Sequence, residues 1–151
     1  MSDDYIVLVP RDPKFVASSD AQKRVAAILR QLAPSADNIE PEVSEAIRFH
    51  DAGSNFESIS CPRCAAEISI DWWQERMDDD SVEEGFRLER YPAPCCDAPL
   101  TLNELEYKSP QAFGRSSWTV RNANIGELDE MAHKKLEAAA GTPLVAIYQH
   151  L

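Results

Sequence analysis

Four cysteines constrain this chain more than any other feature. They fall in two pairs, Cys61 and Cys64 in "CPRC" and the adjacent Cys95 and Cys96 in "RYPAPCCD", with residues 65–94 between them. Such thiols can hold a metal, act as a redox switch, or fill a corner of a core. In C-x2-C spacing around Pro62, the first pair suits a turn whose two thiolates converge on one point, and zinc favours four tetrahedral ligands of this kind. The second pair departs from that spacing. Neighbouring side chains of an extended strand point to opposite faces, so Cys95 and Cys96 share a metal only in a tight turn. Pro92, Pro94 and Asp97 around them predict such a turn. The expected site is one structural zinc ion held by Cys61, Cys64, Cys95 and Cys96. Three sulfurs with Asp97 or His50 as fourth ligand is the fallback.

A redox C-x-x-C should open a helix, whose N-terminus lowers a thiol pKa. "FESISCPRCAAEISI" instead runs from one alternating segment into another, and Pro62 removes an N–H that would steady a thiolate. Packed free cysteines remain the plainer alternative.

At 151 residues, 44% of them hydrophobic, the chain has apolar content for one core. Acidic residues number 26 against 15 basic, for a formal charge of −11. That balance repels phosphate backbones and disfavours nucleic acid as a partner, while suiting a basic protein. The start "MSDDYIVLVP" is acidic where an export signal is basic, and its apolar run is too short to cross a membrane, so a cytoplasmic protein is expected. A reducing compartment in turn favours metal binding over disulfides.

Periodicity divides the chain. "DYIVLVP" reads as a buried strand. "SSDAQKRVAAILRQLAP" reads as a helix, with Ala21, Val25, Ile28, Leu29 and Leu32 on one face, Ser19 or Asp20 as cap and Pro34 as stop. "PEVSEAIRFHDAG" predicts a second strand, with Ala46, Ile47 and Phe49 facing the core. From Cys61 to about Pro110 the pieces are short and proline-rich. "QAFGRSSWTVRNAN" resumes as a strand with Ser116, Trp118 and Val120 on one face. "NIGELDEMAHKKLEAAAG" predicts a helix opened by an Asn124–Glu127 capping box and closed by Gly141. Its inner stripe is Leu128, Met131, Ala132, Leu136 and Ala139. "PLVAIYQHL" is a last strand. The resulting order, βαββαβ, is the ferredoxin-like split βαβ arrangement: an α+β fold whose antiparallel sheet carries two helices on one face. Residues 1–151 then form one domain, with a zinc-ribbon-like subdomain inserted at 54–110.

Within that insertion Asp71 and Gln74 bracket a helical turn carrying Trp72 and Trp73, and Thr101 with Glu104 repeats the capping device. The paired tryptophans are expected to seal the insertion against the sheet, or else to form a binding surface with His50 and Asp51. From Cys61 to Cys96 there are nine acidic residues and four arginines, so the nucleic-acid habit of zinc ribbons does not carry over. The run "MDDDSVEEG" lacks EF-hand spacing and reads as a solvated acidic loop.

"CPRC", then "DWW", then "PCCDAPLTLNELEY" resembles a group of small, uncharacterised bacterial proteins in which a zinc-ribbon-like insertion carries C-P-x-C and P-C-C motifs. The likeness covers most of 54–122. It implies that the four cysteines act together, and it implies no activity. Asp97 stands where that pattern has a glycine.

Four thiolates close a zinc shell and leave no activated water. His50, His133 and His150 are scattered, and nucleotide-binding and hydrolase glycine motifs are absent. The expected function is therefore a non-catalytic, acidic, zinc-stabilised protein-binding module of adaptor or immunity type, docking a basic protein. A nucleic-acid accessory using the sheet face and an enzyme with a cleft near His50, Asp51 and Asn55 are the alternatives. The sequence leaves the oligomeric state open.

Overall fold

The computed structural model describes residues 3–150. Tyr5–Val9, apolar and with β-branched Ile6, Val7 and Val9, lies inside strand β1 (Asp4–Pro10), the second strand in from one edge of a sheet. Helix α1 (Ser19–Leu32) follows, then β2 (Asn38–His50). After a long excursion the chain returns through β10 (Ala112–Arg121), α3 (Glu130–Ala140) and β11 (Leu144–His150). The result is a mixed α+β molecule with three α-helices among the described residues, counting α2 (Ile70–Asp80) of the excursion, and every strand pair described is antiparallel. None of these helices is long and apolar enough to cross a membrane.

The main sheet has the order β11-β1-β10-β2-β6-β5, where β5 (Ser81–Val82) and β6 (Gly85–Phe86) are a hairpin from the excursion. β10 lies between β1 and β2 and runs against both, so β1 and β2 are parallel without touching. β1 separates β10 from β11 in the same way. Ile6, Leu8, Trp118, Val120 and Leu144 on one sheet face meet Val25, Leu29 and Leu136 from α1 and α3 in a first core. Trp118 is fully buried there, and its indole N–H donates to Gln22 O at 3.2 Å.

Several boundaries differ from the sequence reading, each for a local reason. Ser18 caps α1, its hydroxyl accepting from Ala21 N, so Ser19 and Asp20 already lie within the helix. The Asn124–Glu127 capping box does not form. Asn124 and Gly126 take positive φ (59° and 68°), a conformation a helix cannot include, and Leu128 N donates instead to the Tyr148 hydroxyl. α3 starts at Glu130 behind Asp129, and in that phase Met131 is 81% exposed while Leu136, Ala139 and Ala140 are buried. Gly141 closes α3 in the left-handed conformation, as its position predicts.

β2 also begins earlier than expected, at Asn38, and breaks register. Gly114 faces Arg48 and Ser116 faces Val43, so Ser44, Glu45, Ala46 and Ile47 stand opposite Arg115 alone. The Arg115 guanidinium bridges the gap by donating to Ser44 O at 2.9 Å. Ile47, at the end of this irregularity, and Phe49 beyond it turn, half-buried, toward a second core.

That second core belongs to the excursion. β3 (Ile59–Ser60) pairs with β4 (Glu67–Ile68) and β9 (Glu106–Tyr107), and β7 (Tyr91–Pro92) pairs with β8 (Pro99–Leu100). Helix α2 (Ile70–Asp80) is longer than the single turn expected, because Ser69 caps it and its register carries Trp73 and Met77 inward. It takes in "MDDD", so the acidic run is no loop: Asp80 ends the helix fully buried, and Ser81–Phe86 is the β5–β6 hairpin. The Thr101–Glu104 capping box forms, on a 3-10 turn at Leu102–Glu104. Gly85 fits where no other residue would, since a Cβ there would stand 2.5 Å from Ile47 O.

Candidate metal centre

Each cysteine pair sits at the tip of a short hairpin. Between β3 and β4, Cys61 N donates to Ala66 O and Ala65 N to Cys61 O, both at 2.9 Å, and Ala65 takes φ 66°. Between β7 and β8, Ala93 N donates to Ala98 O and Asp97 N to Ala93 O, again at 2.9 Å, and Asp97 takes φ 59°. Asp97 therefore adopts the left-handed conformation glycine would favour, which aspartate tolerates better than most residues. Cys95 and Cys96 lie within a turn rather than a strand, so adjacency does not send them to opposite faces.

The two tips meet. The four sulfurs lie within 4.8 Å of one another, with Cys61 to Cys96 at 3.7 Å and Cys64 to Cys95 at 3.3 Å. Cys61 is buried beneath the cluster and the other three are exposed. Neither Asp97 nor His50 belongs to the group. Four thiols so placed could hold a metal ion, and no helix begins at Cys61 to make the pair a redox motif.

Local electrostatics favour a cation. The N–H groups of Cys64 and, less strongly, Arg63 point at the Cys61 sulfur and bring its thiol from 9.0 down to about 7. Cys95 moves the other way, up to about 12, chiefly because its thiol shares a hydrogen bond with Cys64 and then because of burial. The Ala98 N–H draws Cys96 down, but burial and the Cys61 sulfur outweigh it and its thiol is also raised. Like charges so close oppose one another, and a cation at the centre would offset that repulsion.

Trp73 fills the second core. It stacks on Phe56 (centroids 5.6 Å apart, planes 19°), and its indole N–H donates to the Tyr107 hydroxyl at 3.1 Å. Trp72 is half-buried under the Arg76 guanidinium, 5.7 Å from the ring centroid. His50 Nε2 donates to Gly114 O at 3.3 Å, while Asp51 Oδ1 accepts from Gly53 N at 2.8 Å and Asn55 donates to Tyr148 O. All three bond to separate stretches of backbone.

Two features escape sequence reasoning. Asp80 accepts from Leu88 N, Glu89 N and the Tyr91 hydroxyl at 2.8–2.9 Å, which pins the strand entering the second knuckle. A run of three aspartates gives no sign of which one turns inward; Tyr91 downstream was the cue the sequence held. The other is a groove of about 1090 Å³ between the irregular part of β2 and the β5–β6 hairpin. Glu42, Glu45, Glu83 and Glu84 line it beside the exposed Val43 and Val82, with Arg48 and His50 as its basic members. Glu42 and Glu45 come from β2 and Glu83 and Glu84 from the hairpin, which meet through the pairing of Ile47 with Phe86. Comparison with protein-family models, with curated proteins and with solved structures returned no match for the chain.

Proposed function

We propose that this chain is a non-catalytic, acidic protein-binding module whose excursion, residues 54–110, is a zinc-ribbon-like subdomain built around one structural zinc ion. The observation that carries this reading is the closed sulfur cluster. A tetrahedral zinc site with Zn–S bonds of about 2.3 Å has sulfur–sulfur edges of about 3.8 Å, and the sulfurs lie 3.3 and 3.7 Å apart in their two hydrogen-bonded pairs. Cys61, Cys64, Cys95 and Cys96 would hold the ion; zinc bound by four thiolates cross-links the two hairpins and keeps no position for water.

The parallel, non-adjacent pairs β1/β2 and β10/β11, with α1 and α3 on one face, support a ferredoxin-like split βαβ frame around that subdomain. Reduced thiols suit a cytoplasmic location.

For the docking surface, charge favours the groove between β2 and the β5–β6 hairpin over the tryptophans, which are largely committed to packing. Four glutamates around two exposed valines suit a basic, partly apolar protein segment, and His50 is the member of the expected surface found there. Attraction of this kind speeds encounter and fades with salt. The test is capture from a bacterial lysate at low and moderate salt, by wild type and by a Glu83→Lys/Glu84→Lys variant. A protein held by wild type at low salt, and lost on both charge reversal and added salt, is the expected result. Recovery of RNA, or no capture while a substrate screen scores, would overturn the reading in favour of a nucleic-acid accessory or an enzyme.

A further inference from the structure

The two cysteine hairpins are one structural unit used twice. Shifting the first by 32 residues (61 to 93) lays "CPRCAA" on "APCCDA", and β3 and β4 fall on β7 and β8. Both backbone hydrogen bonds recur between equivalent atoms at the same length, and Ala65 and Asp97 share the left-handed conformation. The likeness runs past the tips. Ile68 and Leu100 are each 2% exposed, and Ser69 and Thr101 each cap the helical turn that follows. In this correspondence Pro62 matches Pro94 and Cys64 matches Cys96, but Cys61 matches Ala93. Cys95 matches Arg63, a position that carries no ligand in the first unit.

We infer that Ala93 occupies a vacated ligand position, that Cys95 supplies the missing thiolate from the wrong place in the turn, and that Cys95 is consequently the ligand through which the metal leaves. This rests on the metal reading given under Proposed function. Cys61, at the first position of its unit, is buried and receives the Arg63 N–H at 3.4 Å. Ala93 is equally buried, at 0% exposure, but brings no sulfur to the N–H groups of its turn. Cys95, like Cys64, is exposed and receives no backbone N–H at its sulfur among the described residues, but Cys95 alone stands at a turn position that carries no ligand in the other unit. A thiolate without such support is held less firmly, because hydrogen bonds to the ligands orient them and tune the ion. On exchange the Cys95 sulfur would leave the ion with the bonding electron pair and take a proton from water. A donor atom of the acceptor then fills the freed place.

The experiment follows zinc release to a chromogenic chelator from wild type, Cys95→Ser, Cys61→Ser and the double variant Ala93→Cys/Cys95→Ser. The double variant should keep one equivalent of zinc and release it about tenfold more slowly, the scale on which ligand-supporting hydrogen bonds act. Cys95→Ser should purify with zinc yet release it faster than wild type, whereas Cys61→Ser should lose most of its occupancy. A folded double variant that is metal-free, or that releases zinc as fast as wild type, would overturn the inference. If the buried Ala93 position rejects a sulfur and the double variant does not fold, the single variants decide. Equal losses in Cys61→Ser and Cys95→Ser, or wild-type release from Cys95→Ser, would overturn it as well. A metal-free wild type would instead remove the metal reading beneath it, a different result.

Discussion

Asp80 shows how much one side chain can hold. Its carboxylate meets three donors in a fully buried place, so Asp80→Ala would leave two backbone N–H groups and the Tyr91 hydroxyl unpaired. The expected cost is about 3 kcal/mol, measured by urea unfolding, with protease sensitivity appearing first at residues 81–91. The same contact, after burial, raises the Tyr91 phenol to about 12. His50 provides a pH test. Burial lowers its pKa below the ordinary 6.5, against the opposing pull of the Gly114 carbonyl. Above 6.5 neither the folded nor the unfolded form holds the proton, and His50 has no effect. As pH falls below 6.5 the unfolded chain takes the proton first, so stability declines until the pH passes the folded value. Unfolding free energies measured across this window should fall toward acid in wild type and fall less in His50→Gln.

At the scale of elements, caps decide where helices begin. Asp129 accepts from Ala132 N at 2.7 Å, so Asp129→Ala should destabilise the fold by about 1 kcal/mol. Glu127→Ala, which removes half of the capping box expected from the sequence, should change unfolding far less. The failure of that box explains what was legible and what was not. The strands and α1 were readable because apolar periodicity speaks directly of burial, as in Tyr5–Val9 and Ala21, Val25 and Leu29. The start of α3 was not, because Asn124 and Gly126 take left-handed conformations and Leu128 N is claimed by the distant Tyr148 hydroxyl, neither of which the local pattern shows. The cysteine motifs foretold their own meeting, and Pro94 with Asp97 foretold the turn that lets Cys95 and Cys96 cooperate. The acidic groove was invisible, since it exists only where β2 meets the β5–β6 hairpin.

Among the described residues two larger apolar cores do most of the stabilising work, beside a smaller cluster of Val7, Val9, Ala112 and Ile147. The first, around Trp118, Leu136 and Leu144, is closed by helices on a sheet and needs no ion. The second gathers short strands around Phe113, Ile59 and Leu100, and the sulfur cluster lies at its rim through Cys61. Two-residue strands supply few hydrogen bonds, so with the proposed ion in place the excursion would depend on the metal while the main sheet would not. Chelation should therefore raise hydrogen exchange across 59–107 and leave β1, β10 and β11 protected. The most direct test is X-ray absorption at the zinc edge on protein purified without chelator. It should show one zinc per chain with four sulfur neighbours at about 2.3 Å and no lighter atom in the shell. An oxygen or nitrogen neighbour, or folded protein without the metal, would contradict it.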